Sequence, residues 1–313
     1  MPCGLRGPGC FGFQALVALC LTLASLPSQA GTRSAEALIV RSADSSQYLA
    51  LEEGFSRSLG SQTSLNLADP LAAAGLRQRL DRAGVVFAIG PEALKAVTAE
   101  HRDLPTLVAF AFGGGGASAA ASPRATTVPL AVSPAQQVSI IKRSLPSIMD
   151  APRQPRLGVL YDPSLSAALV AECSAAASAA GLTLVKAPVA RREDVAEAAR
   201  DLIGRVEALW LIPDPTAVTP QSFRFLVQLS LANKVPLIGF SEGMARAGAV
   251  LAIQADYSEA GLRAGLAARK MLDGQPAGLE APEGMVFLNA RTSEMLDIVL
   301  PKKARDRATR VFE

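Results

Sequence analysis

The sequence predicts an α/β fold made of two open parallel-sheet units in tandem. Three observations point there. Short β-branched runs alternate with longer helical periodicities from residue 36 onward, several of those runs are continuously apolar, and the series breaks once near its middle. A continuously apolar strand is one covered on both faces, and a helix between two such strands returns the chain for parallel pairing. With 313 residues, 50% hydrophobic and 19% charged, the chain can bury cores of that size.

Residues 1–30 precede this pattern and read as a signal peptide for export. Arg6 supplies the positive start, an apolar stretch runs from Phe11 to Leu26, and Pro27 ends it. Ser28-Gln29-Ala30 then offers small residues for cleavage before Gly31. Cys3, Cys10 and Cys20 leave with that segment, and Leu19 before Cys20 does not fit a lipid-attachment motif. The mature chain keeps Cys173, in an Ala-rich helical stretch, as a buried structural thiol.

The first strand series is Ala37–Arg41, Ser64–Leu67, Val85–Ile89, Thr106–Phe112 and Thr127–Ala131. The second is Leu157–Tyr161, Leu182–Lys186, Ala208–Ile212, Val235–Phe240 and Val250–Gln254, with a last strand at Met285–Leu288. Helical periodicity fills 46–59, 71–82, 92–101, 134–145, 164–180, 193–204, 219–233 and 257–273. Thr219-Pro220 marks one start, an N-cap followed by Pro at the first helical position. The break between the units falls at Leu145–Pro155, which holds three prolines. The Gly/Ala/Ser-rich stretch Gly113–Pro123 has four glycines in a row, but no Lys-Ser/Thr follows, so it reads as a loop rather than a phosphate cradle.

Net charge is +3, with +1 in residues 1–30 and +3 in the tail after Pro301, which leaves −1 in between. No basic face for nucleic acid follows from that distribution. One His and four Cys give no metal-ligand spacing and no cofactor fingerprint. A Ser-His-acid set would need His101, which sits in the polar run Ala99-Glu100-His101-Arg102-Asp103 and reads as a surface side chain. An exported α/β chain without a catalytic set points to binding rather than turnover.

In open parallel sheets a ligand lies beyond the carboxyl ends of the strands. The polar and aromatic groups there are Ser42, Asp44, Phe112, Asp162, Asp214, Ser241, Asp256 and Tyr257, with Tyr48 on the helix that follows the first strand. Each has a plainer alternative, since Asp-Pro is a turn dipeptide and Asp or Ser before a helix is an N-cap. Helix N-termini facing such a cleft would favour an anionic group.

Ala208–Asp273 carries a family resemblance. The segments IPDP, NKVPLIGF, RAGAVLAI and ADYSEAGLRAGLAARKMLDG, followed by LNARTSEMLDIVLP, resemble the substrate-binding proteins of ABC transporters. IVRSADSSQYLALEEGFSRSL near the N-terminus resembles the first strand and helix of the same family. The resemblance implies two Rossmann-like lobes of the type I periplasmic-binding architecture, with parallel sheets flanked by helices. Lobe 1 would span 31–131 plus 257–274, lobe 2 would span 132–256 plus 285–301, and residues 302–313 would be a basic tail. It implies a periplasmic monomer without enzymatic activity or cofactor, which closes on a small molecule and delivers it to an inner-membrane permease. Family members take amino acids, aromatic ones included, for which Tyr48, Phe112 and Tyr257 would be stacking partners. The chain lacks the family's Val-Thr-Asp-Pro-type turn and Asn-x-Thr-Gly, so its first-lobe half of the site is its own. A sensor module with the same fold and no transport role is the alternative.

Overall fold

The structure is a computed structural model that describes residues 36–59, 62–110, 123–150 and 154–313. The signal segment, Phe112 and the Gly113–Gly116 run lie outside the described residues.

The first half forms sheet I. Its strands are β1 (Ala37–Arg41), β2 (Gln62–Asn66), β3 (Val85–Ile89), β4 (Thr106–Ala109) and β5 (Ala125–Thr127), all parallel in the order β2-β1-β3-β4-β5. Between them run α1 (Ser46–Ser58), α2 (Pro70–Ala74), α3 (Leu76–Leu80) and α4 (Pro91–Glu100). Alternate residues of β1 serve opposite faces. Leu38 and Val40 pack with Leu76, Leu80 and Leu94 of α3 and α4, whereas Ala37 and Ile39 pack with Leu51 and Phe55 of α1. This double burial explains why the strands read as continuous apolar runs.

Sheet II contains β6 (Arg156–Tyr161), β7 (Thr183–Pro188), β8 (Ala208–Trp210), β9 (Leu237–Gly239), β10 (Leu251–Ala255), β11 (Gly284–Asn289) and β12 (Arg310–Phe312). Their order is β12-β11-β10-β9-β8-β6-β7. On one face α5 (Pro134–Ser144) and α7 (Pro163–Ala179) cover Leu157, Val159 and Trp210. On the other, α8 (Val195–Ile203) and α9 (Pro220–Asn233) cover Leu160, Leu209 and Leu237. Short helices α6 (Pro146–Met149) and α10 (Glu242–Arg246) connect neighbouring elements. No helix among the described residues is long and apolar enough to cross a membrane.

The chain passes three times between the two sheets' layers. After β5 it leads into α5, whose Val138 and Ile141 lie in a sheet II core. From β10 it returns as α11 (Tyr257–Leu272), whose Ala260, Ala264 and Ala268 lie in the sheet I core. Residues 273–283 then lead back to β11. Helices α1 and α11 approach closely because glycines face backbone at the contact. A Cβ at Gly54 would sit 1.8 Å from the Ser258 carbonyl oxygen, and one at Gly261 would sit 2.0 Å from that of Leu51.

Several boundaries differ from the sequence reading, each for a local reason. The expected strand Thr127–Ala131 ends at Thr127, because Pro129 has no N–H to continue the ladder. The helix expected over 71–82 is split into α2 and α3 at Gly75. The strand at Met285–Leu288 runs antiparallel to β10, since it arrives from a helix packed on the other sheet. Residues 302–313 are not a free tail. They form α13 (Lys302–Arg307), which buries Ala304, and β12, which pairs with β11; between β11 and α13 lies α12 (Ala290–Met295).

Candidate functional site

A cleft of about 1190 Å³ lies where the three crossings meet the carboxyl ends of β4, β8, β9 and β10. That is ample for a small organic ligand. The crossings supply Val128–Pro134, Ala255–Ser258, Ala281 and Met285, and the start of α1 supplies Ser46, Gln47 and Ala50. Most of the wall is apolar, including Leu169, Ile212, Phe240 and Ile253.

Two aromatic rings adjoin on this wall, tilted to each other by 47°. Phe110 and Tyr257 have ring centroids 5.4 Å apart, and Tyr48 stands behind Phe110 at 5.2 Å. Burial pushes the Tyr257 phenol above its ordinary pKa. Phe110 has φ +55°, a left-handed conformation rare for a bulky residue. That turn ends β4 and sets the direction of the Phe110 ring.

Of the nine residues expected from the sequence, Ser241, Asp256 and Tyr257 line the cleft. The Oδ1 of Asp256 accepts the Glu259 amide at 3.0 Å and caps α11, and Ser241 caps α10 through the Met244 amide. Tyr48 contributes one layer back, through Phe110. Ser42 is not on the wall. Its hydroxyl accepts the Ala93 amide at 2.9 Å at the start of α4, beside Gly90, which has φ +100° and where a Cβ would meet Ser42 Oγ at 2.4 Å. Asp44 is exposed, paired with Arg41 and accepting from Asn66 at 2.9 Å. Phe112 lies outside the described residues.

Asp162 and Asp214 are placed in a closed capping cluster rather than on the cleft wall. Asp214 accepts the Asp162 amide at 2.8 Å, the Ser166 hydroxyl at 2.7 Å, and the Thr216 and Ala217 amides. Asp162 accepts the hydroxyl and amide of Ser164 and the Thr216 hydroxyl. The Ser164 hydroxyl, then its amide, then Thr216 hold the Asp162 carboxyl below the usual carboxylate range. Both acids are thereby used up in fixing the carboxyl ends of β6 and β8.

Wall residues that the sequence did not single out include Phe110, Gln137, Glu172 and Gln254. Gln137 links three parts of the structure. Its Oε1 accepts the indole N–H of buried Trp210 at 3.1 Å, and its Nε2 donates to the Val132 carbonyl in the first crossing at 2.8 Å. The nearby Cys173 thiol is buried, and desolvation together with Glu172 pushes its pKa up to about 12, so it is inert. His101 lies far from this chemistry, with Nε2 2.7 Å from Asp81 at the end of α4.

Comparison with known proteins shows the family of the chain. A family model described as ABC transporter substrate binding protein matches residues 72–312. The chain belongs to that family. This is a family of substrate-binding proteins, not of enzymes. A curated relative, a tyrosine-binding protein of Clostridioides difficile (strain R20291), is 26% identical over 153 residues, 47% of this chain and 44% of that protein. The match thus spans less than half of that relative's length. Among solved structures, the ligand-free, open form of a Clostridium difficile substrate-binding protein with adhesive properties has a TM-score of 0.67 at 18% identity, covering 88% of this chain and 99% of that one. An ABC domain from Streptococcus pneumonia in complex with L-Trp has a TM-score of 0.54 at 21% identity, covering 89% and 100%. These structures share the fold: two α/β lobes of the type I periplasmic-binding architecture.

Proposed function

We propose that this chain is the extracytoplasmic binding component of an ABC importer. It encloses a small molecule with an aromatic or other flat apolar body in the cleft and presents it to a membrane permease. The adjoining rings of Phe110 and Tyr257, set among apolar strand ends at the three crossings, carry this reading. Family membership supports the binding role. A tyrosine-binding relative and a neighbour holding L-Trp make aromatic amino acids, and the amines related to them, the first compounds to test.

Lobe 1 would comprise the sheet I layers with α11, and lobe 2 the sheet II layers. Ligand contacts to both would favour a closed form, as differential contacts must for any such shift. The proposed contact set is Phe110, Tyr257, Asp256, Ser241 and Gln137, with Tyr48 backing Phe110.

Trp210 is the single tryptophan of the chain, and its indole is bonded to wall residue Gln137. Its emission should therefore report occupancy. Titration with aromatic amino acids and aromatic amines, followed by Trp210 emission and calorimetry, should give saturable binding for at least one compound. Small-angle scattering should then show a smaller radius at saturation. Absence of binding across the panel would overturn the aromatic-body reading.

A further inference from the structure

We infer that the ligand is a cation, an apolar-bodied amine whose charge is not balanced by a carboxylate; this rests on the aromatic-body reading above and narrows it. The observation is the charge of the cleft. Among the described residues that line it, Glu172 and Asp256 carry carboxyl groups, and none is Lys, Arg or His. Residues 111–122, which follow Phe110, contain no charged residue. Arg57 reaches the Ser258 hydroxyl from α1 but does not line the cavity.

The two kinds of ligand charge therefore meet different surroundings. A cation gains opposite charge from Asp256, whose Oδ1 caps α11 while Oδ2 has no partner among the described residues. It also gains the Tyr257 ring on the same wall, since a cation within about 6 Å of a ring centroid is attracted by the ring quadrupole. Tyr257 directly follows Asp256, so carboxylate and ring are offered together.

A ligand carboxylate finds no basic side chain among the described residues of the wall. Its natural alternative is the positive end of a helix dipole, and α1, α5, α10 and α11 all begin at the cleft. In each of them the cap already accepts one leading amide. Ser45 accepts the Tyr48 amide, Ser133 that of Gln136, Ser241 that of Met244 and Asp256 that of Glu259. Helix α5 opens on Pro134, which has no N–H to offer. Helix α11 already has a carboxylate at its N-terminus, so a second anion there would be repelled.

The test compares matched compounds that share one ring: tyramine, L-tyrosine, 4-hydroxyphenylacetate and the neutral alcohol tyrosol, with the corresponding phenyl and indole sets. Calorimetry at fixed salt should rank the amine at least about tenfold tighter than the parent amino acid, with the carboxylate weakest. Asp256→Asn removes the charge and keeps a good N-cap, because Asn accepts the Glu259 amide as Asp does. It should weaken amine binding by about ten- to a hundredfold and leave the alcohol within about twofold. Glu172→Gln provides an independent variant on another helix and should weaken the amine more modestly. Should the Asn variant not fold, the ranking of compounds and the Glu172→Gln result carry the test.

An amino acid binding more tightly than its amine, or an amine affinity unchanged by Asp256→Asn, would overturn the cation assignment and leave the aromatic-body reading standing. Failure of every aromatic compound to bind would instead overturn that underlying reading.

Discussion

Gly261→Ala sets two physical effects against each other with opposite signs. In an open helix the change should stabilise by about 1 kcal/mol, because Ala is the better helix former. At Gly261, however, the new Cβ would lie 2.0 Å from the Leu51 carbonyl oxygen, 2.8 Å from its carbon and 3.0 Å from its Cα. An ordinary contact begins near 3.4 Å, so about 1.4 Å of separation must be found. All three opposing atoms are backbone, and no rotamer change relieves them. Sliding the helices is blocked as well, since the same seam holds Gly54 against Ser258 and Gly265 against Ser58.

Overpacking typically costs about 1–3 kcal/mol, and a backbone clash belongs at the upper end of that range. Subtracting the propensity gain leaves a net destabilisation of about 2 kcal/mol, or roughly 4–8 °C in melting temperature for a chain near this size. The control is Gly204→Ala, where φ is −75° and a Cβ would meet nothing within 4 Å. It should stay within about 0.5 kcal/mol of the parent. Urea and thermal melts followed by circular dichroism measure both variants. A Gly261→Ala protein as stable as its parent, or more so, would refute the close packing of α1 on α11. The consequence reaches the cleft, because α11 begins at Tyr257, and a displaced helix carries Asp256 and Tyr257 with it.

Two further predictions concern titrating groups. The folded-state pKa of Asp162 lies below its ordinary value of 3.8, so its contribution to stability is present above that value and is lost as pH falls through the folded one. The stability difference between the parent and Asp162→Asn, from urea melts, should be constant near neutrality and shrink below about pH 4; a gap that widens in acid would contradict the capping network. Cys173, with its pKa near 12, should resist an aromatic disulfide reagent at pH 8 in the folded protein and react once unfolded in urea. Rapid labelling of the native chain would show that the thiol is not buried as described.

The sequence by itself determined the fold class and nearly every core element. Strands buried on both faces must be continuously apolar, so Ala37–Arg41 and Val85–Ile89 were readable to the residue. A helix start was equally legible at Thr219-Pro220, because capping and Pro at the first turn are local chemistry. The family motifs were visible for the same reason: they are contiguous.

The site was legible only in part, because which strand-end residue faces a cleft depends on contacts distant in sequence. Asp162, Asp214 and Asp256 look alike as polar residues beside a turn or helix start. Only the tertiary structure places Thr216 and Ser166 around the first two, closing them off, and leaves Asp256 on the wall. In the same way, alternation along an expected strand Thr106–Phe112 could not choose between its two phenylalanines. The strand ends at Ala109, and the left-handed turn at Phe110 puts that ring against Tyr257, a residue brought there by the second crossing. Gln137 carried no signal at all, since its partners Trp210 and Val132 belong to an inner strand of sheet II and to the first crossing. Local pattern fixes elements because its physics acts within a few residues. A cleft between sheets is made of side chains that only long-range packing brings together.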